Sequence, residues 1–577
     1  MANEISNDQF DVIVIGAGIN GAGIARDAAM RGLKVLLLDK GDLGGGTSSW
    51  STRLIHGGLR YLEHGEFGLV SESLRERACL MHIAPHLVRP LRMLAPIYKH
   101  ARRGVWTIQA GMIAYDLLSF GKSLPRHRLL SVRQTLEQAP GLNREGLLGA
   151  AVYFDAQVEF AERLVLENAL SAIARGATVI TYASVEKILV AAGAARGVEF
   201  TLAQLPMSNV QYQLNTGTAG VAGSPADVFL SAGVLVSPAD RGPGSSEGRY
   251  SVPAKVVINA AGPWIDQVLG AGAPDSPRLI GGMKGSHLIV APFAGAPDSA
   301  IYVEAETNAR PFFIIPWNGN RLIGTTDIRY DGDLDHVRIE TEEIEYLLRE
   351  TNRVIPAAKL THQHILYTYS GVRPLPSVNE KDEQSITRRH FIRRHPHIAN
   401  LFSIVGGKLT TYRSLAEETV DLIQQALQQK SPGCTTDREL LPGVATPDFE
   451  TFSNEFKQHC RLPETVSVRL LRIYGTRSSA VVELIEQDAS LGEIFDNETG
   501  ALAAEVVFAF KHELAQTLSD CLLRRTMVGL NSTCGLDAVV AAARIAQKYL
   551  GWSTSQAEQE VSAYRNHVER RRLTDTT

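Results

Sequence analysis

From residue 10 the chain opens on a nearly continuous apolar run, Asp11-Val-Ile-Val-Ile15, with the length and composition of a strand buried on both faces. A glycine turn follows, then a helical pattern over 19–31, a stop at Gly32, and a second apolar run, Lys34-Val-Leu-Leu-Leu38. Strand, helix and strand together fill about 30 residues, the span of a β-α-β unit. Further strands are expected at 177–182 and 254–261, with an amphipathic helix over 164–175. Apolar runs at 286–290, 312–316 and 321–325 predict a second, more antiparallel domain. From Pro432 onward the period turns helical. Val506, Phe510, Leu514 and Leu518 fall on one helix face, and 536–550 repeats the habit before a basic tail, Arg565 to Arg572, that reads as a solvated helix end. Residues 203–250, rich in Gly, Pro and Ser, have little periodicity and read as a surface excursion between two strands.

At 577 residues the chain exceeds a single core, so two or three domains are expected. A net charge of -4 sets no global bias toward nucleic acid, and none is expected as a partner. The five cysteines, Cys79, Cys434, Cys460, Cys521 and Cys534, form no C-x-x-C pair, which argues against a metal knuckle or a redox dithiol. No metal is expected. The polar first residues run straight into the first strand, so no signal peptide is expected, and no apolar stretch has spanning length.

The turn after the first strand is Gly16-Ala17-Gly18-Ile19-Asn20-Gly21, a G-x-G-x-x-G between strand and helix. Gly16 permits the tight turn, Gly18 lets a pyrophosphate approach the backbone, and Gly21 allows close helix–strand packing. The helix start then offers N–H groups and partial positive charge to phosphates. Asp39 ends the second strand, where an acid accepts from ribose hydroxyls. The small hydroxyl residues Thr47, Ser48 and Ser51 follow almost at once. They suit a chain lying along an extended cofactor and favour FAD over NAD.

Gly16 to Gly21, Thr47-Ser48-Ser49 and Leu54-Ile-His-Gly-Gly-Leu-Arg-Tyr-Leu62 strongly resemble the FAD-dependent glycerol-3-phosphate dehydrogenases of the aerobic, quinone-linked type. The resemblance recurs at Asn259-Ala-Ala-Gly-Pro-Trp264, Lys284-Gly-Ser-His287, Ile315-Pro-Trp317, Ile323-Gly-Thr-Thr-Asp327, Tyr369-Ser-Gly-Val-Arg-Pro374 and Gly406-Gly-Lys-Leu-Thr-Thr-Tyr-Arg413. These blocks span residues 10–430, and Leu522-Leu-Arg-Arg-Thr526 looks like the family's C-terminal domain. The implied class is α/β: a Rossmann-like FAD-binding domain, an antiparallel-sheet substrate domain and a C-terminal helical domain. The implied division assigns 1–92, 150–275 and 371–430 to FAD binding and 93–149 to a substrate- and membrane-facing segment. Residues 276–370 then form the substrate domain and 431–577 the helical one.

The resemblance extends the cofactor set beyond the fingerprint to Leu54, His56, Gly57, Gly58, Val185 and Gly262. Gly407, Lys408, Leu409 and Thr410 join it, in a glycine turn whose N–H groups are directed at the pyrimidine end of the flavin. The implied reaction is oxidation of sn-glycerol 3-phosphate to dihydroxyacetone phosphate, with electrons passed to quinone. A phosphomonoester needs cations, and Arg60, Lys284 and Arg373 stand in the motifs that resemble the substrate site. For the hydroxyl proton, His56, Tyr61 and His287 are all candidates, and the sequence leaves the choice open. An oxygen-using oxidase and an amine or amino-acid oxidoreductase are competing readings of the same fold.

Between Arg77 and Leu136 one acid, Asp116, faces ten Lys and Arg. Cations flank the mixed apolar stretch Val105-Trp-Thr-Ile-Gln-Ala-Gly-Met-Ile-Ala-Tyr115, a pattern of helices that lie in the headgroup layer. From pattern alone a core helix with solvated basic ends fits equally; with the resemblance, the expected place is peripheral on the cytoplasmic face of the inner membrane, in contact with the membrane surface, with a cytoplasmic place as the alternative. A homodimer is compatible with the family.

Overall fold

The computed structural model describes residues 9–99, 104–119, 124–203, 249–270, 276–377, 389–430 and 432–572; of Arg60, Glu63 and His64 it describes the backbone alone. The first apolar run forms the strand Phe10–Ile15 at the centre of a parallel sheet, between Val35–Leu38 and Arg249–Asn259. Thr178–Ile180 adds beyond Val35–Leu38, and Leu401–Val405 beyond Arg249–Asn259. The helix Ile19–Met30 lies on this sheet beside Ala161–Ala174 and Tyr412–Leu427, so distant stretches of chain complete one nucleotide fold. Most of the 203–250 excursion lies outside the described residues. Its flanks, Ala194–Leu202 and Arg249–Asn259, pair antiparallel.

A second sheet of ten strands is built around Ile280–Val290, which pairs antiparallel with Ile365–Pro376 and Asn320–Gly324. Every residue of Ile280–Val290 is buried, so both of its faces meet protein or the cavity described below. Val88–Tyr98 and Leu147–Val158 extend the sheet, and the two-residue strand Leu54–Ile55 joins its edge. The second domain therefore draws strands from both halves of the chain.

The helical C-terminal region departs from the sequence reading in two places. Val506, Phe510, Leu514 and Leu518 do not share one helix. The helix Ala503–His512 ends before Leu514, which takes a φ of +57°, and the Thr517 side chain caps a new turn at Leu518. The break lets the buried Glu513 accept from both Arg163 Nη1 at 2.6 Å and Arg163 Nη2 at 2.7 Å. The basic tail is solvated only in part, with Arg565 and Arg572 exposed. Arg571 is buried, donates from Nη1 to Gly529 O at 2.9 Å, and packs its guanidinium 4.7 Å from the Tyr367 ring centroid. Flat aromatic faces and a carbonyl compensate the charge that water would otherwise solvate. Among the described residues no helix is long and apolar enough to cross a membrane.

Candidate active site

A cavity of about 1180 Å³ opens where the parallel strands end, bounded on its other side by the antiparallel sheet. Ile15, Asp39 and Ala260, at the carboxyl ends of three neighbouring strands, all line it. Open α/β sheets bind ligands at that position.

The glycine fingerprint shapes the nucleotide end. Gly16 takes a φ of +101°, and a Cβ there would lie 2.6 Å from Ala260 O. A Cβ on Gly21 would lie 1.8 Å from Gly16 O, so only glycine lets the helix start this close to the strand. Gly18 caps the helix Ile19–Met30 without a side chain, and the Ile19 N–H donates to Ser48 Oγ at 3.0 Å. Asp39 accepts from the Ala17 N–H at 2.5 Å and the Gly41 N–H at 2.8 Å, and burial raises its pKa. Each carboxylate oxygen keeps a second lone pair for a ribose hydroxyl. Val185 and Gly262 line the far end.

At the other end, Ser51, Leu54, His56 and Gly58 line one wall and Gly407, Lys408, Leu409 and Thr410 another. The walls are tied together: the His56 N–H donates to Thr410 Oγ1 at 3.1 Å, and Asn20 Nδ2 donates to Gly406 O at 3.2 Å. Thr47 Oγ1 donates to Val372 O at 2.7 Å, which fastens the hydroxyl-rich loop to the second domain. Gly57 is buried behind the wall rather than on it; its N–H donates to Tyr115 Oη at 3.0 Å, and a Cβ would lie 2.4 Å from that oxygen. The cavity therefore runs from an open helix N-terminus to a pocket floored by a glycine turn. Asn20 Oδ1 stays buried in it without a partner among the described residues. These residues fit FAD, pyrophosphate at the helix and tricycle at the turn.

The expected cations separate. Arg373 lines the cavity, donating from Nη1 to Asp327 Oδ1 at 2.5 Å and from Nη2 to Thr325 Oγ1 at 3.1 Å. Lys284 does not. Its ammonium sits 2.8 Å from Glu340 Oε1 and 2.8 Å from Glu343 Oε2, outside the cavity lining. Side chains alternate along a strand, so Lys284 and Ser286 share one face, where both meet Glu343, while Gly285 and His287 face the cavity. The side chain of Arg60 lies outside those described.

Two other cations stand where Lys284 was expected. Arg310 lines the cavity and reaches Asp327 Oδ2 at 3.2 Å, so one carboxylate spans two guanidiniums. Lys408, assigned from sequence to the cofactor, lies 4.1 Å over the Tyr61 ring. Its ammonium is buried with no hydrogen-bond partner among the described residues. No motif marked Arg310. Lys408 was inside one, but only the fold sets it against Tyr61, 347 residues away in sequence.

Of the proton-acceptor candidates, His56 and Tyr61 line the cavity. His287 also lines it, with Nε2 3.0 Å from Thr52 Oγ1 and its ring 4.7 Å from that of Tyr369. Burial, with the nearby Arg373 and Arg53, pushes the His287 pKa well below its ordinary value, so the ring is neutral.

Fold and site together define a flavoprotein oxidoreductase that oxidises a small substrate with FAD. A family model described as FAD dependent oxidoreductase matches residues 11–422, and another, for the C-terminal domain of alpha-glycerophosphate oxidase, matches 434–557. The chain is 43% identical to a glycerol-3-phosphate dehydrogenase of Synechocystis sp., over 99% of this chain and 98% of that protein. It is 35% identical to a D-erythritol 1-phosphate dehydrogenase of Brucella abortus, over 91% and 95%. A crystal structure of glycerol-3-phosphate dehydrogenase from Bacillus halodurans, complexed with FAD, superposes with a TM-score of 0.73 at 26% identity, covering 98% of this chain and 96% of that one. The chain belongs to the glycerol-3-phosphate dehydrogenase-like family of FAD-dependent oxidoreductases.

Proposed function

We propose that the protein oxidises sn-glycerol 3-phosphate to dihydroxyacetone phosphate and passes the electrons to a membrane quinone. The observation that carries this reading is that Arg373, Arg310 and Lys408 line one cavity, with Arg373 and Arg310 joined there by Asp327. A phosphate dianion needs forked donors beside a further point charge. Asp327 holds the two forks in place, and Lys408, without an acceptor among the described residues, is the charge that a phosphate completes.

Bound FAD supplies the hydride acceptor. The chain anchors the phosphate and so fixes the secondary carbinol against the 406–410 turn. With the flavin bound there, the carbinol hydrogen would pass to it with its electron pair, the hydroxyl proton would pass to a base of the chain, and a carbonyl would remain. We assign that proton to His56, which faces the cavity from a loop held by Thr410. His287, pinned by Thr52 and kept neutral by burial and by the nearby Arg373 and Arg53, is assigned to positioning the site instead.

What supports peripheral attachment to the cytoplasmic face of the inner membrane is the helix Val105–Leu118. Trp106, Ile113 and Leu117 are 83%, 46% and 67% exposed and, with exposed Ala110, share one helical face. Lys99, Arg126 and Arg128 are exposed on the flanking segments, a charge set suited to anionic headgroups.

Anaerobic titration tests the reaction. Glycerol 3-phosphate should bleach the oxidised flavin absorbance, glycerol and amino acids should not, and D-erythritol 1-phosphate should do so only at higher concentration. Bleaching by an amino acid without phosphate would remove the proposal.

A further inference from the structure

The C-terminal helical domain contributes none of the cations above, yet two of its arginines close on the loop that carries the ribose acid. Asp42, three residues beyond Asp39, is buried. Its Oδ2 accepts from Arg524 Nε at 2.5 Å and Arg525 Nη1 at 2.9 Å, and its Oδ1 from Arg525 Nη2 at 2.7 Å. A second tie runs alongside. Asp520 Oδ1 accepts from Arg524 Nη2 at 2.8 Å and from Tyr182 Oη at 2.6 Å, while the Tyr182 N–H donates to Gly41 O at 3.0 Å. Gly41 in turn donates to Asp39.

The 39–48 loop belongs to no strand or helix; its backbone is tied to Ala17, Ile180, Tyr182 and Ala183, all within the nucleotide fold. Between these anchors its side chains add further ties, and the strongest of them are the charge-assisted bonds to Asp42 from another domain. Asp39, Asp42, Tyr182 and Arg524 all line the cavity, so the network lies at the wall rather than behind it. It is also anchored: Arg525 Nε donates to Glu513 O at 2.7 Å, and the Glu513 carboxylate is held by Arg163 from the nucleotide fold.

We propose that the C-terminal domain is a latch on the cofactor: Arg524 and Arg525, closed on Asp42, hold the Asp39 loop in its FAD-binding position, and opening that contact releases FAD. Arg525→Lys removes the two-pronged grip on Asp42 while keeping the charge. Tyr182→Phe removes the parallel tie with little change of shape. Asp42→Asn is the severest test, because it leaves the buried Arg525 guanidinium without its carboxylate and Arg524 with Asp520 alone.

The experiment measures FAD affinity in the full chain by quenching of flavin fluorescence, together with the melting midpoint of apoprotein and of FAD-saturated protein. Arg525→Lys should raise the FAD dissociation constant about 10- to 100-fold, and Tyr182→Phe about 2- to 10-fold. Both should shrink the rise in melting midpoint that FAD gives, since that rise follows the dissociation constant. The apoproteins should lose less in melting midpoint than the FAD-saturated forms. If both variants bind FAD as tightly as the parent, the latch is overturned. It is equally overturned if their apoproteins lose as much stability as the FAD-bound forms, because the contact would then serve domain packing alone. Should Asp42→Asn fail to fold, the two milder variants decide.

Discussion

Lys284 Nζ lies 2.8 Å from Glu343 Oε2, with both side chains 1% exposed, so this lysine ties the strand Ile280–Val290 to the helix Thr341–Val354. Glu343 also accepts from Ser286 Oγ at 2.8 Å and Thr326 Oγ1 at 2.6 Å, and its other oxygen receives the Glu340 N–H at the helix start. Lys284→Met would leave a buried carboxylate without its cation, at a cost of about 3–5 kcal/mol in stability. Denaturant unfolding should show that loss. Whatever protein remains folded should keep its KM for the phosphorylated substrate. A large KM rise in a stably folded variant would return Lys284 to the substrate site.

Arg373→Ala and Lys408→Met act in the opposite sense. Each removes a cation that faces the cavity, and each charge-assisted contact contributes about 1.5–3 kcal/mol. KM for glycerol 3-phosphate should rise about 10- to 150-fold in either variant, with the yellow FAD spectrum retained by Arg373→Ala. Steady-state rates with an artificial acceptor check the first, and the absorbance of the purified variant checks the second. Loss of flavin together with KM would show that Arg373 braces the cofactor.

The exposed face of the helix Val105–Leu118 gives a binding test. Replacing Trp106 and Leu117 together with Glu removes two apolar side chains, each contributing about 1.5–3 kcal/mol when buried in the lipid boundary. Sedimentation with vesicles containing anionic lipid should retain the parent and lose the double variant, and high salt should weaken the parent's binding. Equal retention of both proteins at all salt concentrations would dismiss this face as the docking surface.

His86 gives a pH test. Its ring is buried with neither nitrogen partnered among the described residues, and burial beside Arg163, Arg89 and Arg477 holds its pKa well below 6.5. Below that pH the unfolded chain takes up the proton first, so stability falls as the pH drops until the folded ring titrates. His86→Phe ends this proton uptake and can still pack against Phe449, whose ring lies 5.9 Å away. The variant's advantage over the parent should grow between pH 8 and pH 5, by about 1.4 kcal/mol per unit once below the ordinary histidine value. Urea midpoints at several pH values measure it, and a difference that stays flat with pH would refute it.

Local signals determined the first half of this picture. Gly16, Gly18, Gly21 and Asp39 were legible because the steric need for glycine and the place of an acid after a strand act within a few tens of residues. The strand around 286–290 was legible by its apolar run, but it reaches back to Ile280, and its period of two puts Lys284 and His287, an odd number of residues apart, on opposite faces. Tertiary structure decided what depends on chain segments hundreds of residues apart. It set Lys408 against Tyr61, spanned Arg310 and Arg373 with Asp327, and buried the tail arginine Arg571 between aromatic rings. A cation's role is set by the nearest acceptor in space. Sequence spacing specifies that acceptor only within one helix or strand.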